Sequence, residues 1–423
     1  MIILSKINTG WGKVLFSDAI DVNPKREIKK GTECKFVSMD EVKEHNKRID
    51  NFEKRRFLGG SKFTNKDTLM ARITPCLENG KTAYVDILDS NEVAAGSTEF
   101  NVLAAKNGKT IPEFVYYLSI TPEIREVAIK SMTGTSGRQR VDSDIFNKII
   151  LSLPSIPEQE SITKVLSDLD SKIELNNQMN STLQRVTQAI FKHWFIDFEF
   201  PNENRKSYKS SGGEMINSVI GKVPNGWLVK TIAECGEVIC GKTPPTNNKE
   251  NYGEDYLFIT IPDMRNNTFV LDTKTKLSEV GANTQKKKEL SPFAVCVSCI
   301  ATPGLVSLTS KRSHTNQQIN SIVCNSDISP YFMYLVMKLK SKEIKMMGSG
   351  GTATLNLNTG NFSKIKILIP PTKIMHEFNN IIEAQFTLIL KNQNNTESLG
   401  VIRDSLLPKL ISGEIMVPVG VSK

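Results

Sequence analysis

Phe146-Asn147-Lys148-Ile149-Ile150-Leu151-Ser152-Leu153-Pro154 is the stretch on which the fold turns, because it returns as Phe362-Ser363-Lys364-Ile365-Lys366-Ile367-Leu368-Ile369-Pro370, 216 residues later. Both copies alternate apolar residues with a period of two and stop at proline, the pattern of a short strand. Gly10-Trp11 returns at Gly226-Trp227 with the same shift. Between these anchors, Pro112-Glu113-Phe114-Val115-Tyr116-Tyr117-Leu118 answers Pro330-Tyr331-Phe332-Met333-Tyr334-Leu335 at a shift of 218, each reading as a helix with proline in its first turn. Two insertions account for the slip. A period this long marks a duplicated domain and not a solenoid.

Each half reads as a β-rich stretch punctuated by Gly, Pro, Asn and Thr, then a short helix, a glycine loop, the strand above and a long helical run. The glycine loops are Gly134-Thr135-Ser136-Gly137-Arg138-Gln139-Arg140 and Gly348-Ser349-Gly350-Gly351-Thr352-Ala353-Thr354. In the first helical run Ile162, Leu166, Leu169, Ile173, Asn176, Asn180, Leu183, Thr187, Ile190 and Trp194 step by alternating fours and threes. That is a coiled-coil seam with a polar middle. The same phase in the second run collects Phe378, Ile382, Gln385, Ile389, Asn392, Thr396, Leu399, Arg403, Leu406 and Leu410.

Matching seams predict that the two helices pack on each other as an antiparallel pair, giving a pseudo-twofold calliper with Asn176 and Asn392 fixing its register. A helix of about 40 residues spans roughly 60 Å, so the two globules are expected about one DNA turn, roughly 34 Å, apart. The expected class is α/β (α+β): two mixed α/β domains joined by two long helices in an antiparallel coiled coil. The boundaries read as 1–153 for the first domain, 154–200 for the first helix and 201–222 for a linker. The second domain follows at 223–369, then the second helix at 370–415 and a tail at 416–423. Ile190, Phe191, Trp194 and Phe195 at one helix end leave open whether the isolated chain is soluble.

At 423 residues the chain is long enough to bury sizeable cores without staples. Fifty-four Lys and Arg against 45 Asp and Glu give a formal charge of +9, which favours a polyanionic partner. No apolar run is long enough for a membrane span or a signal peptide, and seven cysteines without framework spacing suit a reducing compartment, so a cytoplasmic location is expected.

Several strings imitate catalytic motifs. Gly236-Glu237-Val238-Ile239-Cys240-Gly241-Lys242-Thr243 matches the phosphate-cradling pattern. A phosphate loop must open into a helix, however, and Pro244-Pro245 push Thr243 towards extended geometry. Pro262-Asp263 with Asp272-Thr273-Lys274 imitates a nuclease site, and Cys296-Val297-Ser298-Cys299 is a lone pair of cysteines without the second pair that tetrahedral zinc needs. Thr243-Pro244-Pro245-Thr246 lacks the amide and the aromatic of a base-gripping methyltransferase element. The histidines His45, His193, His314 and His376 show no metal or catalytic spacing. No metal and no catalytic set are expected in this chain.

Binding chemistry is what remains. Basic clusters stand at Lys54-Arg55-Arg56, at Arg138 with Arg140, at Lys286-Lys287-Lys288 and at Lys311-Arg312. Arginine reads guanine edges bidentately, so Arg138 and Arg140 are the better candidates for base contact and the others for phosphate clamps. Each cluster reads equally well as a solvated face. Asn316-Gln317-Gln318 offers amides that read adenine, or an amide-rich turn.

The run Phe191-Lys192-His193-Trp194-Phe195-Ile196-Asp197-Phe198-Glu199-Phe200-Pro201, followed by Tyr208-Lys209-Ser210-Ser211-Gly212-Gly213-Glu214-Met215, resembles the central conserved region of type I restriction-modification specificity subunits. The likeness extends to Pro224-Asn225-Gly226-Trp227, Gly241-Lys242-Thr243-Pro244, Ile156-Pro157-Glu158-Gln159-Glu160 and Leu406-Leu407-Pro408-Lys409-Leu410-Ile411-Ser412-Gly413-Glu414-Ile415. The resemblance implies a non-catalytic subunit with two target-recognition domains, each reading half of a bipartite double-stranded DNA site. It also implies helices that dock two methyltransferase subunits, with restriction and translocase subunits joining. S-adenosylmethionine, ATP and magnesium would then belong to those partners. One departure stands out: the first half has Asp21-Val22-Asn23-Pro24-Lys25 where the second has Gly-x-Thr-Pro, so the two globules are expected to diverge near their starts. The rival reading is a coiled-coil adaptor that binds proteins without recognising a DNA sequence.

Overall fold

The computed structural model describes residues 2–3, 10–135, 137–348 and 356–418. The second glycine loop beyond Gly348 lies outside them, as does Ser136 of the first. The chain divides into two units, one running to Ile173 and resuming at Ser398, the other spanning Glu174–Glu397. Each unit therefore takes a segment of both long helices.

In unit 1 an antiparallel sheet runs Ile20–Val22, Phe100–Ala105, Thr68–Ala71, Thr82–Tyr84. Thr68–Ala71 is buried throughout, as a strand covered on both faces must be. A second sheet sets Glu33–Val37 parallel to Ala94–Gly96, with Glu53–Arg56 and Ser61–Phe63 at its edges. The helix Pro112–Ser119 begins at its proline, and its Phe114 and Tyr117 enter a core shared with Phe16, Phe146, Leu166 and Leu410.

Unit 2 repeats the plan. Gly236–Cys240, Ile319–Cys324, Val295–Ser298 and Val306–Thr309 stand in the same antiparallel order, extended by Phe269–Val270. Tyr252–Ile259 lies parallel to Ser313–Thr315. The helix Pro330–Leu339 again starts at proline, with the Ser329 hydroxyl accepting the Phe332 N–H.

The expected strand is Ile149–Leu153 in one copy and Lys366–Ile369 in the other. Its register repeats: Gly12 faces Leu153 and Leu15 faces Ile150, while Leu228 faces Ile369 and Thr231 faces Lys366, every one of these residues displaced by 216. Near the domain starts, Ile20–Val22 and Gly236–Cys240 hold the same place in their sheets.

The long helices are Ile156–Phe195 and Thr372–Ile411. Two residues of the string Ile156-Pro157-Glu158-Gln159-Glu160 set the first helix start. Glu158 accepts the Ser155 N–H at 2.8 Å and its hydroxyl at 2.7 Å, satisfying the backbone donor just before the helix. Buried Gln159 accepts from Ile111 N–H and donates to the Lys109 and Pro154 carbonyls, sewing the helix to its domain.

Every seam position of both helices is buried or half-buried. In unit 2 the helices are antiparallel: Asn392 donates to Asn180 at 3.0 Å, while Phe378 meets Phe195 at 4.6 Å. In unit 1 Arg403 pairs with Asp170 at 2.8 Å. The expectation that Asn176 and Asn392 share the register-setting role is corrected. Antiparallel packing places Asn180 opposite Asn392, and the Asn176 amide Nδ2 is buried without a partner among the described residues. The apolar helix end is covered within unit 2, where Phe191, Trp194 and Phe195 pack with Trp227, Phe332 and Phe378. The segment read as a linker contains a hairpin, Met215–Ser218 with Gly221–Pro224, and Tyr208 stacks on Phe200.

Candidate nucleic-acid interface

In unit 1, Lys54, Arg55 and Arg56 lie on the exposed edge strand Glu53–Arg56, paired to Glu33–Val37. The Arg55 guanidinium sits over the Phe36 ring, 3.1 Å from its centroid. This stack borders an open cleft that Gly59, Gly60, Gly96, Ser97 and Thr98 also line.

The next residue, Glu99, holds the other basic cluster. Arg140 Nε and Nη2 donate to its carboxylate at 2.9 and 2.7 Å, a fork-to-carboxylate pair that keeps the guanidinium protonated even more firmly than usual. Arg140 is placed by reciprocal backbone bonds with Thr133 and by Thr74, which receives Gln139 N–H and donates to Gln139 O. Arg138 is exposed on the same loop. The segment Gly96–Glu99 thus brings together two basic clusters that lie far apart in sequence. Glu99 and Phe36 escaped the sequence reading. Their signal is the repeat itself, aligned with the slip that strand pairing reveals.

In unit 2, Lys286 and Lys287 are exposed and Lys288 half-buried on a single 3-10 turn. Reciprocal backbone bonds between Leu290 and Ser313 bring that turn beside exposed Lys311 and Arg312. Arg312 pairs with Glu289 at 2.5 Å and lies over Tyr256, the Glu289 carboxylate raising its affinity for its proton. Gln317 is exposed and Gln318 half-buried. Thr243 Oγ1 donates to Gln317 Oε1 at 2.7 Å, and Asn316 Nδ2 donates to Gln318 Oε1 at 3.1 Å.

The strings that imitate catalytic motifs have packing roles. Gly236–Cys240 is a strand, and the chain runs on without a helix through Pro244-Pro245. Gly241 lies against the neighbouring turn so closely that a Cβ there would stand 2.3 Å from the Thr315 carbonyl oxygen. Asp263 closes a capping box with Thr260, and Asp272 pairs with Lys276. Cys296 and Cys299 are buried in the sheet, where desolvation pushes their thiols up to about 12 and about 11. Among the described residues no three His, Cys, Asp or Glu side chains gather as a metal site, and no helix is long and apolar enough to cross a membrane. The chemistry on offer at these clusters is charge, amides and an arginine–carboxylate pair in each unit, Arg140 with Glu99 and Arg312 with Glu289.

Residues 22–185 and 224–398 each match the family model for the type I restriction modification DNA specificity domain. Over 403 residues the chain is 38% identical to the type I restriction enzyme HindI specificity subunit of Haemophilus influenzae, covering 82% of this chain and 86% of that one. Over 330 residues it is 28% identical to the type I restriction enzyme MjaIX specificity subunit of Methanocaldococcus jannaschii, covering 75% and 72%. The S subunit of a type I restriction-modification system from M. genitalium has a similar fold, with a TM-score of 0.53 at 16% identity over 97% of this chain and 99% of that one.

Proposed function

The chain belongs to the type I restriction-modification DNA specificity family, and from that premise we propose that its two domains each read one half of a bipartite double-stranded DNA target. The observation that carries this reading is the repeated plan. Each unit joins the same two strands by one short polar turn, residues 97–99 in unit 1 and 316–318 in unit 2, and each carries exposed basic clusters. Lys54, Arg56, Lys286, Lys287, Lys288 and Lys311 hold phosphates and set register, whereas Arg138, Arg140, Gln317 and Gln318 reach base edges. Arg55 and Arg312, each stacked on an aromatic ring, act at the border between the two roles.

The chain itself makes and breaks no covalent bond. Adenine methylation and DNA cleavage reside in partners, two modification subunits and restriction/translocase subunits, which bring S-adenosylmethionine, ATP and magnesium. The long helices supply the docking faces. Support comes from apolar residues of the long helices left exposed outside the seam: Leu175, Met179 and Val186 in unit 2, Val401 and Ile402 in unit 1.

Mapping methylated adenines in DNA from cells carrying this chain, with each half exchanged in turn, tests the reading. Two sequence blocks separated by a fixed gap, each following its own half, are expected. A continuous site, or a pattern indifferent to both exchanges, overturns it. Failure of the complex with its partners to be retained on DNA in a sequence-specific way would favour an adaptor, whereas specific retention should weaken strongly with salt, since phosphate contacts release counterions.

A further inference from the structure

Resting on the DNA-recognition reading above, we propose that one turn, present once in each unit, is the base-reading element. It is Ser97-Thr98-Glu99 in unit 1, selecting a C·G pair through Glu99 and Arg140. It is Asn316-Gln317-Gln318 in unit 2, selecting an A·T pair through its amides.

Strand pairing establishes the equivalence. In unit 1 Val37 faces Gly96 in the parallel pair, and Phe100 faces Ala71 in the central sheet. In unit 2 Ile259 faces Thr315, and Ile319 faces Ser298. The residues between, 97–99 and 316–318, join the same two strands. Their hydrogen bonds also correspond. Ser97 N–H donates to Val37 O at 3.0 Å, and Asn316 N–H to Ile259 O at 3.2 Å. Glu99 N–H donates to the Ser97 hydroxyl at 3.2 Å, and Gln318 N–H to the Asn316 side-chain oxygen at 3.1 Å. Phe100 N–H donates to Ser97 O at 3.3 Å, and Ile319 N–H to Asn316 O at 3.2 Å.

The backbone is therefore constant while the side chains differ, which is what a reading element requires. A glycine backs each turn: a Cβ on Gly60 would stand 2.1 Å from Gly96 O, and one on Gly241 2.3 Å from Thr315 O. The middle residues, Thr98 and Gln317, are exposed.

The chemistry then differs by unit. A carboxylate beside phosphate-binding lysines and arginines weakens non-specific attraction, so Glu99 makes sense where it accepts a hydrogen bond from a base. An acceptor-only group suits the cytosine amino group, and the arginine it holds suits guanine O6 and N7. Glutamine and asparagine amides, donor and acceptor together, suit adenine.

The test is selection from a random duplex library by the full chain assembled with its modification subunits, repeated with Glu99→Gln and Gln318→Glu. Glu99→Gln is expected to shift one base pair in one half-site from C·G towards A·T by roughly tenfold or more, leaving the other half intact. Gln318→Glu is expected to alter the other half alone. Should either variant fail to fold, Thr98→Asn and Gln317→Glu at the exposed positions carry the same comparison. If folded variants select the wild-type site in both halves, the turn is not the reader, although sequence-specific recognition stands. If the wild type selects no sequence at all, the recognition reading fails and this proposal with it.

Discussion

Asn392 Nδ2 donates to Asn180 Oδ1 at 3.0 Å in the buried seam of the helix pair, and Asn180 Nδ2 in turn reaches the Ile389 carbonyl at 3.4 Å. Two amides that satisfy each other inside a buried seam cost little when paired and much when separated.

Asn180→Ala should therefore destabilise the chain by about 1 to 3 kcal/mol, because it strands the Asn392 amide. Asn176→Leu should be neutral or stabilising, since Asn176 Nδ2 is already buried without a partner among the described residues. Denaturant unfolding of the two variants separates these outcomes. Equal losses would show that Asn180 and Asn392 are not coupled.

Arg403 and Asp170 form an ion pair with side-chain exposures of 14% and 12%, and the Tyr117 hydroxyl donates to the same carboxylate at 2.7 Å. Arg403→Leu removes the cation and leaves the carboxylate half-satisfied. A loss of about 3 kcal/mol is expected, of the size seen when one member of a buried pair is deleted. Additional Asp170→Asn should recover part of it in a double-mutant cycle.

His314 is fully buried, and neither ring nitrogen has a hydrogen-bond partner among the described residues. Burial lowers its proton affinity; the nearby Glu289 opposes that and Arg312 adds to it. The folded value lies below the unfolded value of about 6.5, so the unfolded chain binds more protons between the two. Stability should thus be intact above about 6.5 and fall as pH drops below it. Melting temperatures measured from pH 7.5 to 5 should show the fall in the wild type and a shallower one in His314→Phe.

Lys286→Ala and Lys54→Ala should each reduce the slope of log affinity against log salt by about 1 without changing which sequence is preferred. Arg138→Ala should instead cost about 1 to 3 kcal/mol and relax preference in one half-site only. Binding titrations at several salt concentrations, on cognate and scrambled duplexes, distinguish the two classes.

Gly241→Ala places a methyl group where the Thr315 and Asn316 carbonyls stand, both 2.3 Å away, so the backbone beneath the Asn316–Gln318 turn must shift. Recognition of one half-site should weaken while the other persists, as site selection would show. Were this glycine part of a phosphate loop, the variant would change nucleotide binding and leave DNA preference alone.

The repeat, the paired helices and their polar middle were all legible in sequence. Strand and helix periodicity are local properties, written along the chain wherever one face of an element is buried. Every residue picked out by the 4-3 spacing is buried or half-buried, because that spacing keeps one stripe of the helix turned inward. Basic clusters were legible as composition but not as an arrangement.

What the sequence determined by itself is which residues form elements and which faces those elements hide, because backbone geometry and burial act over a few neighbouring residues. Only the tertiary structure decided that Asn392 faces Asn180 and not Asn176, that Arg140 is held by Glu99 and Arg312 by Glu289, and that residues 97–99 answer 316–318. Those pairings join positions separated by tens to hundreds of residues. Their partners are chosen by chain direction and loop closure, which leave no period in the order of amino acids.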